Sequence, residues 1–183
     1  MTATRPNISY VVNQLSQFLV ELRQVHLAVA KHVLCYIQVT KDYGLVFGAK
    51  GRQGLVMYAD SVYANSVRSC LTTGFIFMIN GSLVTWNSRK QTVTAQSSTE
   101  AEYMAVLEAA KQAIWIRHFL YSIGKEAVYN MALMTIYEDN QGVIKLTDNP
   151  VNHLKMKHIA VCYHAIWEHI ANSEIQLEYL PTD

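Results

Sequence analysis

Residues 91–105 read QTVTAQSSTEAEYMA, which sets two carboxylates into the first turns of a long helix. Acids belong near a helix N-terminus, where unpaired N–H groups and the dipole favour negative charge. Ser97 and Glu100 have the spacing of a capping box, in which each side chain serves the other's backbone donor. Capping accounts for Glu100. Glu102 lies two residues further on, about 200° round the helix, and faces elsewhere. Its charge needs a second explanation.

Two more acids end apolar, β-prone runs. Asp60 closes Leu55-Val-Met-Tyr-Ala-Asp60, and Asp139 follows Met134-Thr-Ile-Tyr-Glu138. Such runs are expected in the middle of a covered sheet. An acid there is costly unless it is paired or binds a cation. If the two strands are neighbours and the helix packs on them, Asp60, Glu102 and Asp139 converge. Three converging carboxylates make a hard-oxygen site suited to Mg²⁺ or Mn²⁺. Each acid also has a plain structural reading: Asp60 and Asp139 as strand-end or turn residues, Asp139-Asn140 as a helix cap, Glu102 as capping partner of Thr99.

A chain of 183 residues, 51% of them hydrophobic, allows one substantial domain plus an appendage, with a core that needs no disulfides. No apolar run has the length to span a bilayer, and residues 1–7 lack the pattern of a signal peptide. Cys35, Cys70 and Cys162 are odd in number and lack metal spacing, which points to reduced thiols inside a cell. The formal net charge is +1, so any contact with nucleic acid must be local. His164 and His169 are five apart, the wrong spacing for one zinc on a helix.

Along the chain, Val11, Leu15, Phe18 and Leu22, then Val25, Val29, Val33 and Ile37, recur at helical spacing and predict helix over 7–40, broken near Arg23 or Gln24. A turn is expected at 41–44, then strand material over 45–57 interrupted by Gly48, Gly51 and Gly54, and strand onward to Ala64. Strands over 74–79 and 82–88 flank Asn80-Gly81, the strongest short-range hairpin signal. A helix over 98–122 should stop at Gly124. A strand ending at Asp139, a short helix to about Thr147, a Pro150 loop, a helix over 155–172 and a strand over 174–180 complete the pattern. That order predicts a mixed sheet flanked by helices.

The block WNSRKQTVTAQSSTEAEYMA, residues 86–105, resembles the hallmark of the ribonuclease H region of copia-type LTR retrotransposon polyproteins. So do Tyr58-Ala-Asp60, Glu138-Asp-Asn-Gln141, Asn149-Pro150 with His153, and Lys157-His-Ile159, at matching intervals. Residues 5–44 resemble the end of the reverse transcriptase module just upstream, through Arg5-Pro-Asn-Ile-Ser-Tyr-Val-Val-Asn13 and the stretch from His26 to Tyr36. The resemblance covers nearly the whole chain.

It implies an α/β ribonuclease H-like fold: a five-stranded mixed sheet, its first three strands antiparallel, flanked by helices, with an N-terminal helical extension. Residues 1–44 would be the reverse transcriptase tail and 45–183 the ribonuclease H-like domain. The implied activity is metal-dependent hydrolysis of the RNA strand of RNA–DNA hybrids. Asp60, Glu102 and Asp139 match the catalytic, metal-binding carboxylates, holding two Mg²⁺ or Mn²⁺ ions. The implied partners are the hybrid and the reverse transcriptase module of the same polyprotein, with no membrane and no small-molecule cofactor. The implied setting is intracellular, cytoplasmic or within a virus-like particle.

Candidate hybrid contacts are Thr72, Thr73, Asn87, Ser88, Arg89 and Gln91, with Asn140 and Gln141 beside the acids. The alternative for the first six is a solvated hairpin edge. Lys155, Lys157 and His158 form another small basic patch, or simply a solvated helix start. The family pattern has a fourth carboxylate, an Asp shortly after a Thr-Asp pair like Thr182-Asp183, and this sequence does not reach it. Val62 stands where the family has a second Asp, and Cys70-Leu71 where basic residues are common. Gln38-Val-Thr40 replaces a Lys-Gly-Thr, and Leu22 a proline. A catalytically inactive, truncated remnant that keeps the fold as a nucleic-acid-binding or structural module is therefore the alternative to an active nuclease.

Overall fold

The structure, a computed structural model, describes residues 4–48, 54–62, 72–91, 95, 97–124, 133–148 and 160–181. Strands β1 (Leu55–Val62), β2 (Thr72–Ile79), β3 (Ser82–Lys90), β4 (Met134–Glu138) and β5 (Ile175–Tyr179) form one sheet in the order β3-β2-β1-β4-β5. β1, β2 and β3 pair antiparallel, while β4 runs parallel to β1 and to β5. This is the expected mixed sheet. The β2–β3 connection is two residues long, and Asn80 and Gly81 take φ of 49° and 76°. Two left-handed residues in succession give a turn whose twist matches the strands it joins.

Helix α3 (Ser98–Ser122) crosses the sheet. Ser97 caps it by accepting the Glu100 N–H at 3.2 Å, and Gly124, at φ 67°, follows its end. We expect Ser97→Ala to cost about 1 kcal/mol of stability, measured as a lower Tm in a thermal melt. Ala101, Ala105, Ala109, Ala110 and Ala113 are buried along α3, and their small side chains let it sit close to its neighbours. It contacts β1, β2 and β4, and also the helices α4 (Gln141–Asp148) and α5 (Ala160–Ala171). A helix buried on more than one side carries no single apolar stripe.

Strand alternation explains the rest of the core. Met57, Ala59, Phe75, Phe77, Met134 and Ile136 share the core with α3. Tyr58 and Tyr137, at alternate positions, stack on one another with centroids 5.3 Å apart.

The N-terminal region holds two helices, the second starting at Gln24 as expected, with a wider break than the sequence suggests. It forms a 3-10 turn (Pro6–Ile8), α1 (Ser9–Ser16) and α2 (Gln24–Val39), with residues 17–23 outside any helix. Arg5 joins the two ends: its guanidinium donates to the Thr40 carbonyl at 3.0 Å and the Thr40 hydroxyl at 2.6 Å. α1 lies against β3, and Gln14 donates to the Thr72 hydroxyl at 3.3 Å. α2 buries none of its residues, and Val25, Leu34 and Val39 are exposed. Residues 45–48, read as strand material, lack regular structure, and β1 begins at Leu55. Residues 63–64 and 155–159, expected in a strand and a helix, lie outside the described residues. No described helix is long and apolar enough to cross a membrane.

Candidate active site

The parallel pair β1 and β4 matches Val56 with Thr135, Met57 with Ile136 and Tyr58 with Tyr137, and then the pairing stops. β1 continues to Val62 along β2, whereas β4 ends at Glu138. Asp60 and Asp139 each stand two residues past the last rung, where the strands part. In open α/β sheets, such a crevice beyond the carboxyl ends of parallel strands is the usual ligand position. α3 closes it. Just past its capped first turn, α3 brings in Glu102, whose Oε2 accepts the Ser61 N–H at 2.8 Å. One oxygen from each of Asp60, Glu102 and Asp139 lies within 4.8 Å of the other two.

Carboxyl groups crowd together here, and burial and mutual repulsion oppose their ionisation. Burial, then the charge of Asp139, pushes the Asp60 carboxyl above its usual range, against a hydrogen bond from the Ser61 backbone. Burial, then the charge of Asp60, pushes Glu102 up to about 7, again opposed by Ser61. A further acid is involved. Glu138 is 1% exposed, and burial, then the charge of Glu102, pushes it up to about 8. Charge that the surrounding protein leaves unbalanced is what a divalent cation would offset, and carboxylate oxygens are the donors such hard ions take. The three acids therefore fit a metal centre.

The sequence motifs do not single out Glu138. Its signal is positional: Met134, Ile136 and Glu138 alternate along β4, so an acid shares the core-facing side with two fully buried apolar residues. Its Oε1 accepts the Asn140 N–H at 3.2 Å, and Asn140 Oδ1 accepts the Gly142 N–H at 2.8 Å to cap α4.

The candidate hybrid contacts divide. Thr72 and Thr73 are buried, and their hydroxyls accept from Gln14 at 3.3 Å and Gln91 at 2.7 Å. Gln91 also donates to the Ala101 carbonyl at 3.0 Å, tying the end of β3 to the turn that carries Glu102. Thr73, Asn87, Arg89 and Gln91 line a cleft of about 190 Å³ together with Lys90. Ser88 instead lines a groove between α1 and β3. Asn140 caps α4, and Gln141 is exposed at its start. Lys155, Lys157, His158, Thr182 and Asp183 lie outside the described residues. Of the helix histidines, His169 pairs with Glu174 at 2.6 Å and His164 is exposed.

No protein-family model matches the chain. It is 34% identical over 180 residues to the retrovirus-related Pol polyprotein from transposon RE1 of Arabidopsis thaliana, a match covering 98% of this chain and 12% of the relative. The corresponding polyprotein from transposon TNT 1-94 of Nicotiana tabacum is 33% identical over 187 residues, covering 100% of this chain and 14% of the relative. The chain thus spans about an eighth of the length of these polyproteins. Secreted RxLR effector protein 161 of Plasmopara viticola is 44% identical over 117 residues, covering 63% of this chain and 82% of that protein.

Among solved structures, the N-terminal RNase H domain of a Mycobacterium tuberculosis protein, fused to maltose-binding protein, superposes with a TM-score of 0.50 at 13% identity, covering 70% of this chain and 88% of that one. The foamy viral protease-reverse transcriptase in complex with an RNA/DNA hybrid gives 0.50 at 13% identity, covering 75% and 19%. At that identity the likeness is one of fold.

Proposed function

Because this chain belongs to the retrovirus-related Pol polyproteins of transposons and has a ribonuclease H-like fold, we propose that it is the ribonuclease H of a copia-type element. It hydrolyses the RNA strand of RNA–DNA hybrids during reverse transcription, leaving a 3′-hydroxyl and a 5′-phosphate. The observation that carries this reading is the meeting of Asp60, Glu102 and Asp139 oxygens within 4.8 Å of one another. A solved foamy viral relative in fold was captured with an RNA/DNA hybrid, which supports the choice of substrate.

In this reading Asp60 and Asp139 hold Mg²⁺ or Mn²⁺ from the two parting strands, and Glu102 holds it from the helix. Ser61 fixes the Glu102 carboxylate through its N–H. Bound there, the ions would lower the pKa of the attacking water and offset charge on the leaving oxygen. Asn87 and Arg89 engage the hybrid backbone from the edge of β3, where shape and 2′-hydroxyls rather than base sequence are read. Residues 1–44 form the tail of the reverse transcriptase module and 45–183 the nuclease domain. The apolar residues that α2 leaves in solvent suit burial against the rest of that module.

The test is a labelled RNA–DNA hybrid incubated with the chain and Mg²⁺ or Mn²⁺. Cutting confined to the RNA strand and stopped by a chelator is the expected result. Hybrid binding without metal-dependent cutting would replace the nuclease reading with that of a silent binding module.

A further inference from the structure

We infer that Glu138 is a positioning residue, whose side chain locks the turn that aims Asp139 at Asp60 and Glu102. The inference rests on the metal-centre reading of those three acids. Asp139 lies between two anchors. Before it, the Glu138 carbonyl accepts the Leu180 N–H at 3.0 Å, holding the end of β4 against the chain leaving β5. After it, Asn140 gives its N–H to Glu138 Oε1 at 3.2 Å and takes the Gly142 N–H on Oδ1 at 2.8 Å. The Glu138 side chain therefore reaches over Asp139 and ties the turn back to the strand.

The turn also presses on α3. A Cβ placed on Gly142 would come within 2.8 Å of Asn140 Oδ1 and 3.2 Å of the Thr99 methyl carbon. Thr99 is three residues from Glu102, so the same turn meets both the strand acid and the helix that carries the other. Glu138 does this against an energetic penalty. It is 1% exposed, and its Oε2 is buried without a hydrogen-bond partner among the described residues. A buried unpaired polar oxygen is unfavourable, and an apolar residue would fill the position without that penalty. Holding Asp139 in place accounts for a side-chain oxygen here.

Groups that orient metal-binding side chains change affinity when removed, although they never touch the ion. The experiment titrates the full chain with Mn²⁺ alone, following free Mn²⁺ by electron paramagnetic resonance. Glu138→Ala should weaken Mn²⁺ binding about 10–100-fold, while Glu138→Gln, which keeps an oxygen to accept the Asn140 N–H, should stay near wild type. Ile175→Ala, a core change away from the turn, should lower Tm yet keep Mn²⁺ affinity. Wild-type affinity in Glu138→Ala would overturn the inference. So would a Gln variant as weak as Ala with both still folded, or an equal loss in Ile175→Ala.

Failure of the metal-centre reading is a different result: the wild-type chain itself takes up no Mn²⁺, and the locking of the turn by Glu138 is then read from hydrogen exchange alone. Hydrogen exchange at the Asn140 amide tells the cases apart. Protection in wild type and Glu138→Gln but not in Glu138→Ala locates the lock regardless of the ion.

Discussion

Asp139→Asn should sharply reduce metal-dependent cutting while making the metal-free chain more stable. Asn has the shape of Asp without its charge, so the turn at Asn140 and the cap on α4 survive. One of the three oxygen donors is lost as an anion, and hybrid cleavage should fall by on the order of 10²–10³-fold, the scale for removing one preorganised electrostatic group. The gain in stability follows from the same geometry. Asp139 is the leading charge that raises Asp60, and it also raises Glu102 and Glu138. Removing it relieves all three. The paired readout is a cleavage assay and a thermal melt in chelator; loss of activity with a lower Tm would mean that Asp139 is structural.

The second large effect is a fall in stability as pH rises. Glu102 and Glu138 sit near 7 and 8, against an ordinary value of 4.5. Between about pH 4.5 and 8 the folded chain therefore binds more protons than the unfolded one, and stability declines with pH across that window. Below it both states are protonated and nothing is lost; above it both are ionised and the full loss is present. Each tenfold rise in proton affinity on folding is worth about 1.4 kcal/mol. Because the two carboxyls also repel one another, they act jointly, with a combined effect on the order of a few kcal/mol. A divalent ion should act most strongly where the acids are ionised. Tm in chelator should drop from about pH 5 to about pH 8, and added Mg²⁺ should restore it chiefly at the upper end. A flat profile in chelator would show that these carboxyls are not strained by burial.

What is legible in the sequence is local chemistry. Asn80-Gly81 announces its hairpin because few residues tolerate two left-handed positions in a row, and Gly124 announces the end of α3 for a related reason. Ser97 marks the start of the same helix, and the strand, helix, strand order of acids marks a convergence that the structure brings within 4.8 Å. What stays hidden depends on partners distant in the chain. Apolar spacing over 7–40 predicts helix, yet Val25 is 61% exposed, because periodicity reports a helix and not what covers it. Thr72 and Thr73 look available for nucleic acid in the sequence, but the fold buries both and sets Gln14 and Gln91 against their hydroxyls. Glu138 is given no role by the sequence, and its burial depends on α3 lying over β4.

The parting of β1 and β4 beyond Tyr58 and Tyr137 has a consequence for the order of folding events. Its three acids stand far apart in the chain, with 42 residues from Asp60 to Glu102 (102 − 60) and 37 from Glu102 to Asp139 (139 − 102). No hairpin or lone helix can assemble the trio, so capture of an ion has to wait until the parallel register is complete. A ligand that recognises only the finished topology acts as a late latch: it retards escape from the native state and leaves the climb towards it almost untouched.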